Sequence, residues 1–197
     1  MKAIILLGTL KKTEESNTQT LSEFFTKKLI DQGIECETIK LVDHKILPGT
    51  YSDMGKGDAW PKILKKVLAA DMILFATPVW WGNHSSEIQR VIERIDEIHD
   101  GILKGMNTPF EGKTAGIIVT GDGDGAEHII GNIANYCNAI GLLIPPFGTL
   151  TVLWNGHGKD KKTSKKELLK KYEKEYAKTA KKMITQMTKF VSVKTKN

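Results

Sequence analysis

Met72-Ile73-Leu74-Phe75-Ala76-Thr77-Pro78-Val79-Trp80-Trp81-Gly82-Asn83-His84-Ser85-Ser86 opens on an apolar run and closes at the head of a helical pattern. Between the two lies a Pro/Gly turn that carries adjacent indoles. An unbroken apolar run bounded by turn residues reads as a strand buried on both faces. The turn points a large aromatic surface past the end of that strand, which suits a flat ligand. Pro78 fixes the backbone and Gly82 permits close approach, so the main-chain N–H groups of residues 79–83 are expected to meet ligand carbonyls. At least one of Trp80 and Trp81 is expected to pack under the next helix or in a subunit contact.

The same alternation of apolar run and helical pattern extends in both directions. Upstream, Lys2 to Leu7 reads as a buried strand. Ser16 to Gln32 reads as a helix with Leu21, Phe24, Phe25 and Leu29 at a 3.6 period, closed by Gly33. Glu35 to Leu41 alternates like a strand nearer the sheet edge. Asp58 is the expected N-cap of a helix running to Ala70, with Pro61 tolerated in its first turn. Downstream, Ser86 to His99 reads as one helix, Thr114 to Thr120 as a fourth strand, and 126–140 as a helix ended by Gly141. Leu142 to Ile144 and Thr149 to Leu153 read as a fifth strand interrupted by Pro145-Pro146. A long helix from Ser164 to about Phe190 carries a continuous apolar stripe, and Ser164 with Glu167 forms a capping box at its start. Short apolar strands alternating with helices predict an α/β fold around a parallel sheet covered on both faces. Such folds bind ligands beyond the carboxyl ends of their strands.

At 197 residues the chain is expected to form a single domain, 1–197, ending in that basic amphipathic helix. Its net charge of +6 is unevenly spread, because residues 159–197 hold 14 Lys against 4 Asp plus Glu. The remainder is mildly acidic. The interspersed Glu and Tyr and the continuous apolar stripe mark the lysines as a solvated outer face, with a nucleic-acid or membrane surface as the rival reading. Cys36 and Cys137 are far apart and lack zinc-ligand spacing, so both are expected to be small buried hydrophobes. No apolar stretch is long enough to span a bilayer, and the expected compartment is the cytoplasm.

Three loops at strand ends could carry chemistry. The first, Gly8 to Thr18, offers hydroxyls at Thr9, Ser16 and Thr18, the amide of Asn17 and a helix N-terminus, a cradle for a phosphate that Lys11 could also pair. It is neither a Walker A sequence nor G-x-G-x-x-G. Ser16 with Gln19 reads equally as another capping box. The second is the double-indole turn. The third, Thr120-Gly121-Asp122-Gly123-Asp124-Gly125, brings glycine backbone close to a ligand edge or makes an ordinary surface turn. Its Asp-x-Asp-Gly start lacks the distal ligands of a calcium loop, so no metal is expected. His84 could donate to a ligand, and reads more simply as a passive residue at the helix start.

Together these loops resemble the flavodoxin-like flavoproteins, and more narrowly the NAD(P)H-dependent FMN reductase and quinone reductase branch. Gly8-Thr9 with Ser16-Asn17-Thr18 is similar to the branch's first loop, and Thr77 to Gly82 is similar to its T-P-x-Y/W-W/F-G turn. The resemblance implies a doubly wound five-stranded parallel sheet of order 2-1-3-4-5 with helices on both faces. It implies FMN with its phosphate on Thr9, Ser16, Asn17 and Thr18. The ring would rest on Pro78, Val79, Trp80, Trp81, Gly82 and Asn83, with Thr120, Gly121 and Gly123 along its other side. Asp122 and Asp124 beside the ring would then disfavour an anionic reduced flavin. The cysteine cluster of the iron–sulfur flavoproteins is missing after strand two. The implied activity passes electrons from NAD(P)H to a quinone, flavin or similar small acceptor, in a homodimer or homotetramer, with no assigned catalytic side chain. The alternative is a flavodoxin-type electron carrier without NAD(P)H activity of its own.

Overall fold

The computed structural model describes residues 1–158, 160, 161 and 163–191. Lys159, Lys162 and 192–197 of the basic C-terminal segment lie outside the described residues. Among the described residues, five parallel strands, β1 (Lys2–Leu7), β2 (Glu35–Lys40), β3 (Met72–Pro78), β4 (Thr114–Gly121) and β5 (Thr149–Leu153), form one sheet in the order β2-β1-β3-β4-β5. This is the order that the resemblance implied. The α-helices among the same residues cover it: α1 (Asn17–Ile30), α2 (Trp60–Ala69), α3 (Ser86–Glu93), α4 (Asp96–Leu103), α5 (Ala126–Ala139) and α6 (Lys165–Phe190).

Because alternate strand residues point to opposite faces, the continuous apolar strands feed two cores. Ile4, Leu6, Ile73, Phe75, Ile117 and Val119 pack on the side of α2, α3 and α5. Ala3, Ile5, Leu7, Leu74, Ala76 and Ile118 pack under α1 and α6. The stripe predicted on the last helix supplies Leu168, Tyr172, Ala180, Met183, Ile184 and Met187 to that second core, and the Ser164–Glu167 capping box forms in both directions. Met183 and Met187 lie so close over Gly116 that a Cβ there would meet the Met183 methyl at 2.5 Å.

Four local expectations are corrected. The helix expected over Ser86 to His99 is two helices. The Arg94 carbonyl accepts from the Trp60 indole at 3.1 Å, and the Glu97 amide donates to the Thr50 carbonyl at 3.1 Å. Both groups are thereby taken from the i→i−4 ladder, and the chain turns between α3 and α4. Asp58 is not the N-cap of α2; Ala59 is, and the Asp58 carboxylate sits just outside, accepting from the Trp60, Leu47 and Met54 amides. Leu142 to Ile144 does not join β5, because the prolines cannot donate to a ladder. Leu143 makes one isolated parallel bridge to Thr114, and the Gly148 amide closes a turn onto the Pro145 carbonyl at 2.9 Å. Cys36, on the edge strand, is only half-buried, while Cys137 is buried as expected.

The loose segment between β2 and α2 is held by one side chain. Arg94 is fully buried and donates from Nε to the Tyr51 carbonyl at 2.7 Å, from Nη1 to the Leu47 carbonyl at 2.8 Å and from Nη2 to Asp58 at 2.6 Å. Burial alone would push the Asp58 carboxyl up. The Arg94 guanidinium and the amides of Trp60, Met54 and Leu47 outweigh it and hold the group well below its ordinary value.

Candidate functional site

The loops after β1, β3 and β4 meet at the carboxyl edge of the sheet, as the strand order requires. Gly8 donates to the Ala76 carbonyl at 2.7 Å, and a Cβ on it would lie 2.6 Å from the Ser85 hydroxyl and 2.5 Å from Ile88. Glycine thus lets the first loop leave the sheet against the start of α3. Ser85 caps that helix by accepting the Ile88 amide, and its own amide donates to Thr77 Oγ1 at 2.9 Å.

The double-indole turn is a tight connection closed by two backbone bonds: Trp80 N–H to the Asn83 carbonyl and Asn83 N–H to the Trp80 carbonyl, both 2.8 Å. Trp81 and Gly82 at its apex have φ values of 50° and 76°. Positive φ at both central residues is the signature of a two-residue type I′ turn. The expectation that the amides of 79–83 all face a ligand is therefore corrected. Val79 donates to the Thr120 carbonyl at 2.8 Å, Trp80 and Asn83 bond each other, and the apex amides of Trp81 and Gly82 remain. Trp80 is half-buried, whereas Trp81 is 96% exposed among the described residues. The left-handed conformation at Trp81 is strained for a residue with a Cβ. Trp81→Asn, which gives the Asn-Gly pair such turns favour, is expected to raise the stability of the ligand-free protein by about 0.5–1 kcal/mol. A urea midpoint equal to or below that of the wild type would contradict it.

The loop after β4 is locked to that turn. Gly125 has φ 98°, and a Cβ on it would stand 2.8 Å from the Gly82 Cα. Asp122, Gly123 and Asp124 are exposed at its tip, and nothing lies within 4 Å of where a Gly123 Cβ would be. Two loops thus form one continuous backbone wall.

On the first loop, the side chains assigned to a phosphate mostly hold the protein together. Thr18 Oγ1 pairs with Thr120 Oγ1 at 2.7 Å, both buried, and so ties the head of α1 to the end of β4. The Asn17 side-chain amide donates to the His157 carbonyl at 3.0 Å. Thr9 Oγ1 accepts from the Lys11 amide at 3.2 Å. Lys11 Nζ folds back onto the Glu15 carbonyl at 2.8 Å and pairs with Glu14. Ser16 is the N-cap, accepting from the Gln19 amide at 3.3 Å, but the expected capping box is only half formed, because the Gln19 side chain donates to Glu23 at 3.1 Å. The main-chain amides of Asn17 and Thr18 are left at the helix head. No acidic residue stands in the first turn of α1, whereas α3, α4, α5 and α6 each carry at least one. The first turn of α1, like that of α2, carries no acid, although Glu14 and Glu15 stand just before its N-cap with Glu14 paired to Lys11, and its amides and dipole favour an anion. A phosphate here would be bound by backbone and dipole more than by hydroxyls.

His157, for which the sequence offered no signal, ties the end of β4 to α6. Its Nδ1 lies 3.1 Å from the Gly121 carbonyl and its Nε2 2.9 Å from the Tyr172 hydroxyl. Burial lowers its basicity against the opposing pull of the Gly121 carbonyl. The neutral ring fits these contacts with Nδ1–H donating to Gly121 and Nε2 accepting from Tyr172. His84 is buried, and its Nε2 lies 2.8 Å from Gln89 Oε1, whose amide nitrogen donates to Glu93. This contact across the start of α3 supports the passive reading. Among the described residues no group of three or more His, Cys, Asp or Glu could hold a metal ion.

A parallel sheet of this order, with an anion-ready helix head and a rigid backbone wall gathered at one edge, defines a flavodoxin-like α/β protein. The chain belongs to the NADPH-dependent FMN reductase family, whose model matches residues 1–152. It is 30% identical over 151 residues to a divalent metal cation transporter MntH of Mycobacterium bovis, covering 74% of this chain and 22% of that protein. It is 30% identical over 156 residues to the 8-demethyl-8-aminoriboflavin-5′-phosphate synthase of Streptomyces davaonensis, covering 74% of this chain and 61% of the synthase. The chain thus spans less than two thirds of the length of both relatives. The crystal structure of RosB with a bound 8-demethyl-8-formylriboflavin-5′-phosphate intermediate shares the fold, with a TM-score of 0.78 at 24% identity over 97% of this chain and 79% of that one. Among the described residues no helix is long and apolar enough to cross a membrane.

Proposed function

We propose that this chain is an FMN-dependent oxidoreductase passing electrons from NAD(P)H to a quinone, flavin or similar small acceptor. The contact of Gly82 with Gly125 carries the reading. It joins the turn after β3 to the loop after β4 as a single wall, tied through the Thr18–Thr120 pair to the head of α1, whose first turn carries no acid. A flat ring with a phosphate tail fits that arrangement. The amides of Asn17 and Thr18 would hold the phosphate, and the backbone of Pro78 to Asn83, with Thr120, Gly121 and Gly123, would flank the ring. Bound FMN supplies the hydride-accepting centre and the onward electron transfer. The protein's part is orientation: the Thr18–Thr120 pair and the Val79–Thr120 bond fix the spacing between phosphate and ring sites. No side chain is assigned as acid or base. Residues 1–197 act as one FMN-binding domain, cytoplasmic, assembled as a homodimer or homotetramer that covers Trp81.

The purified protein should show flavin absorbance near about 370 and 450 nm, alone or after FMN is added. It should oxidise NADPH with menadione or ferricyanide and no added reductase. Failure to bind FMN would overturn the reading. FMN binding without NADPH oxidation would instead make the chain a flavodoxin-type carrier. Recovery of a flavin of altered mass after turnover would make FMN the substrate, as the name of the Streptomyces relative suggests for that protein.

A further inference from the structure

α6 lies outside the segment matched by the family model, and its outer face carries lysines that no acidic side chain among the described residues pairs with. Its three carboxylates are all committed: Glu167 to the Ser164 cap, Glu173 to Lys28 at 2.7 Å and Glu175 to Lys171 at 2.7 Å. Lys166, Lys170, Lys174 and Lys178 are spaced four apart, and Lys181 follows one turn later on the same side. All five are exposed, and among the described residues no acidic side chain pairs with any of them. Residues at such spacings share one helix face, so they form a cationic ridge about 22 Å long.

An apolar tip adjoins the ridge. The turn Pro145 to Gly148 exposes Pro146 and Phe147, with Leu143 exposed just before it. Phe147 is 59% exposed and held at φ 61°, a strained conformation for an aromatic residue with a Cβ. Lys182 of α6 places its ammonium 3.3 Å from the centre of the Phe147 ring, which joins tip and ridge in one surface.

We propose that this surface docks on an anionic lipid bilayer, with the ridge against the headgroups and the Pro146–Phe147 tip in the interface. Unpaired lysines match the negative potential of such a surface, and exposed aromatics partition into the headgroup region. The composition argues against nucleic acid. The ridge has no arginine, the residue that grips phosphates and base edges in bidentate fashion, and a protruding apolar turn gains nothing against a duplex backbone. The helix lies on the membrane rather than in it, because its own apolar stripe is already buried against the sheet. The inference is independent of the oxidoreductase reading.

Co-sedimentation of the full chain with phosphatidylcholine vesicles, with and without about one third phosphatidylglycerol, tests it. The protein should pellet with the anionic vesicles and stay in solution with the neutral ones, and about 0.5 M salt should release it. Lys170→Gln, Lys174→Gln, Lys178→Gln and Lys181→Gln combined should weaken partitioning at least about a hundredfold. Phe147→Asn, which relieves the backbone, should weaken it about fivefold without changing the salt dependence. Far-ultraviolet circular dichroism and the urea midpoint, read on the same samples, show whether each variant remains folded. Equal partitioning onto neutral and anionic vesicles, or none onto either, overturns the proposal. So does tighter binding to duplex DNA than to anionic vesicles, which would make the ridge a nucleic-acid surface.

Discussion

Arg94→Ala should cost about 3–5 kcal/mol of stability, the range for breaking a buried ion pair by removing one partner. Arg94 and Asp58 are both fully buried as side chains, and the guanidinium joins Asp58 to the Tyr51 and Leu47 carbonyls. Its loss leaves a buried carboxylate and two carbonyls without their donor. Most of the cost is that abandoned charge rather than the net strength of the pair. Asp58→Asn with Arg94→Ala should therefore cost less than the sum of the single changes. Urea unfolding of the three variants measures this, and strict additivity would show that the two residues act separately.

The pair also fixes a pH dependence. The Asp58 carboxyl is held below its ordinary value in the folded protein. Its stabilisation is complete above the unfolded carboxylate value of about 4 and drains away as the pH falls below that value. The wild type should lose stability on acidification more steeply than Asp58→Asn over this range. Parallel curves would mean that Asp58 contributes no proton-linked stability.

Gly125→Ala should be the most damaging single methyl at the site. The position has φ 98°, and the added carbon would stand 2.8 Å from the Gly82 Cα, an atom of backbone that cannot rotate aside. Relief requires the loop after β4 to move away from the double-indole turn. The backbone strain and the clash together should cost about 1–3 kcal/mol of stability. FMN affinity should fall at least tenfold, a loss of about 1.4 kcal/mol. Titration of the variant by flavin fluorescence checks the second figure. Wild-type affinity would mean that the wall formed by these loops does not hold the ring, and would undercut the proposed function with it. Gly131→Ala, on the exposed face of α5 and away from the site, where nothing lies within 4 Å of the added carbon, is the matched control and should bind FMN normally.

The central strands β1, β3 and β4 were legible as unbroken apolar runs and β2 as an alternating edge strand, the strand order came from the family resemblance, and Gly33 and Gly141, both at positive φ, mark helix ends plainly. Ser164 with Glu167 announced α6 for the same reason: the interaction is local, three residues apart. What the residues concealed is long-range. The helix expected over 86–99 is broken by Trp60 on the Arg94 carbonyl and Thr50 on the Glu97 amide, 34 and 47 positions away, and the Asp58 carboxylate is engaged by Arg94, 36 positions on. The type I′ turn was hidden because Trp is a poor resident of left-handed backbone, so no propensity points to it. At the site, the residue types were read as phosphate ligands because hydroxyls and amides beside a helix head invite that reading. Their engagement with Thr120 and His157 depends on loops more than a hundred residues away.

The matched family segment stops at Val152, inside the last strand, while the second core takes six buried side chains from a helix that begins at Lys165. A gene cut at the boundary of that homology would therefore leave α1 alone on that face of the sheet, with Leu150 and Val152 of the edge strand stripped of the helix that packs on them. Such a product is an aggregation template rather than a minimal reductase. Any truncation or graft of this domain has to carry its last helix along.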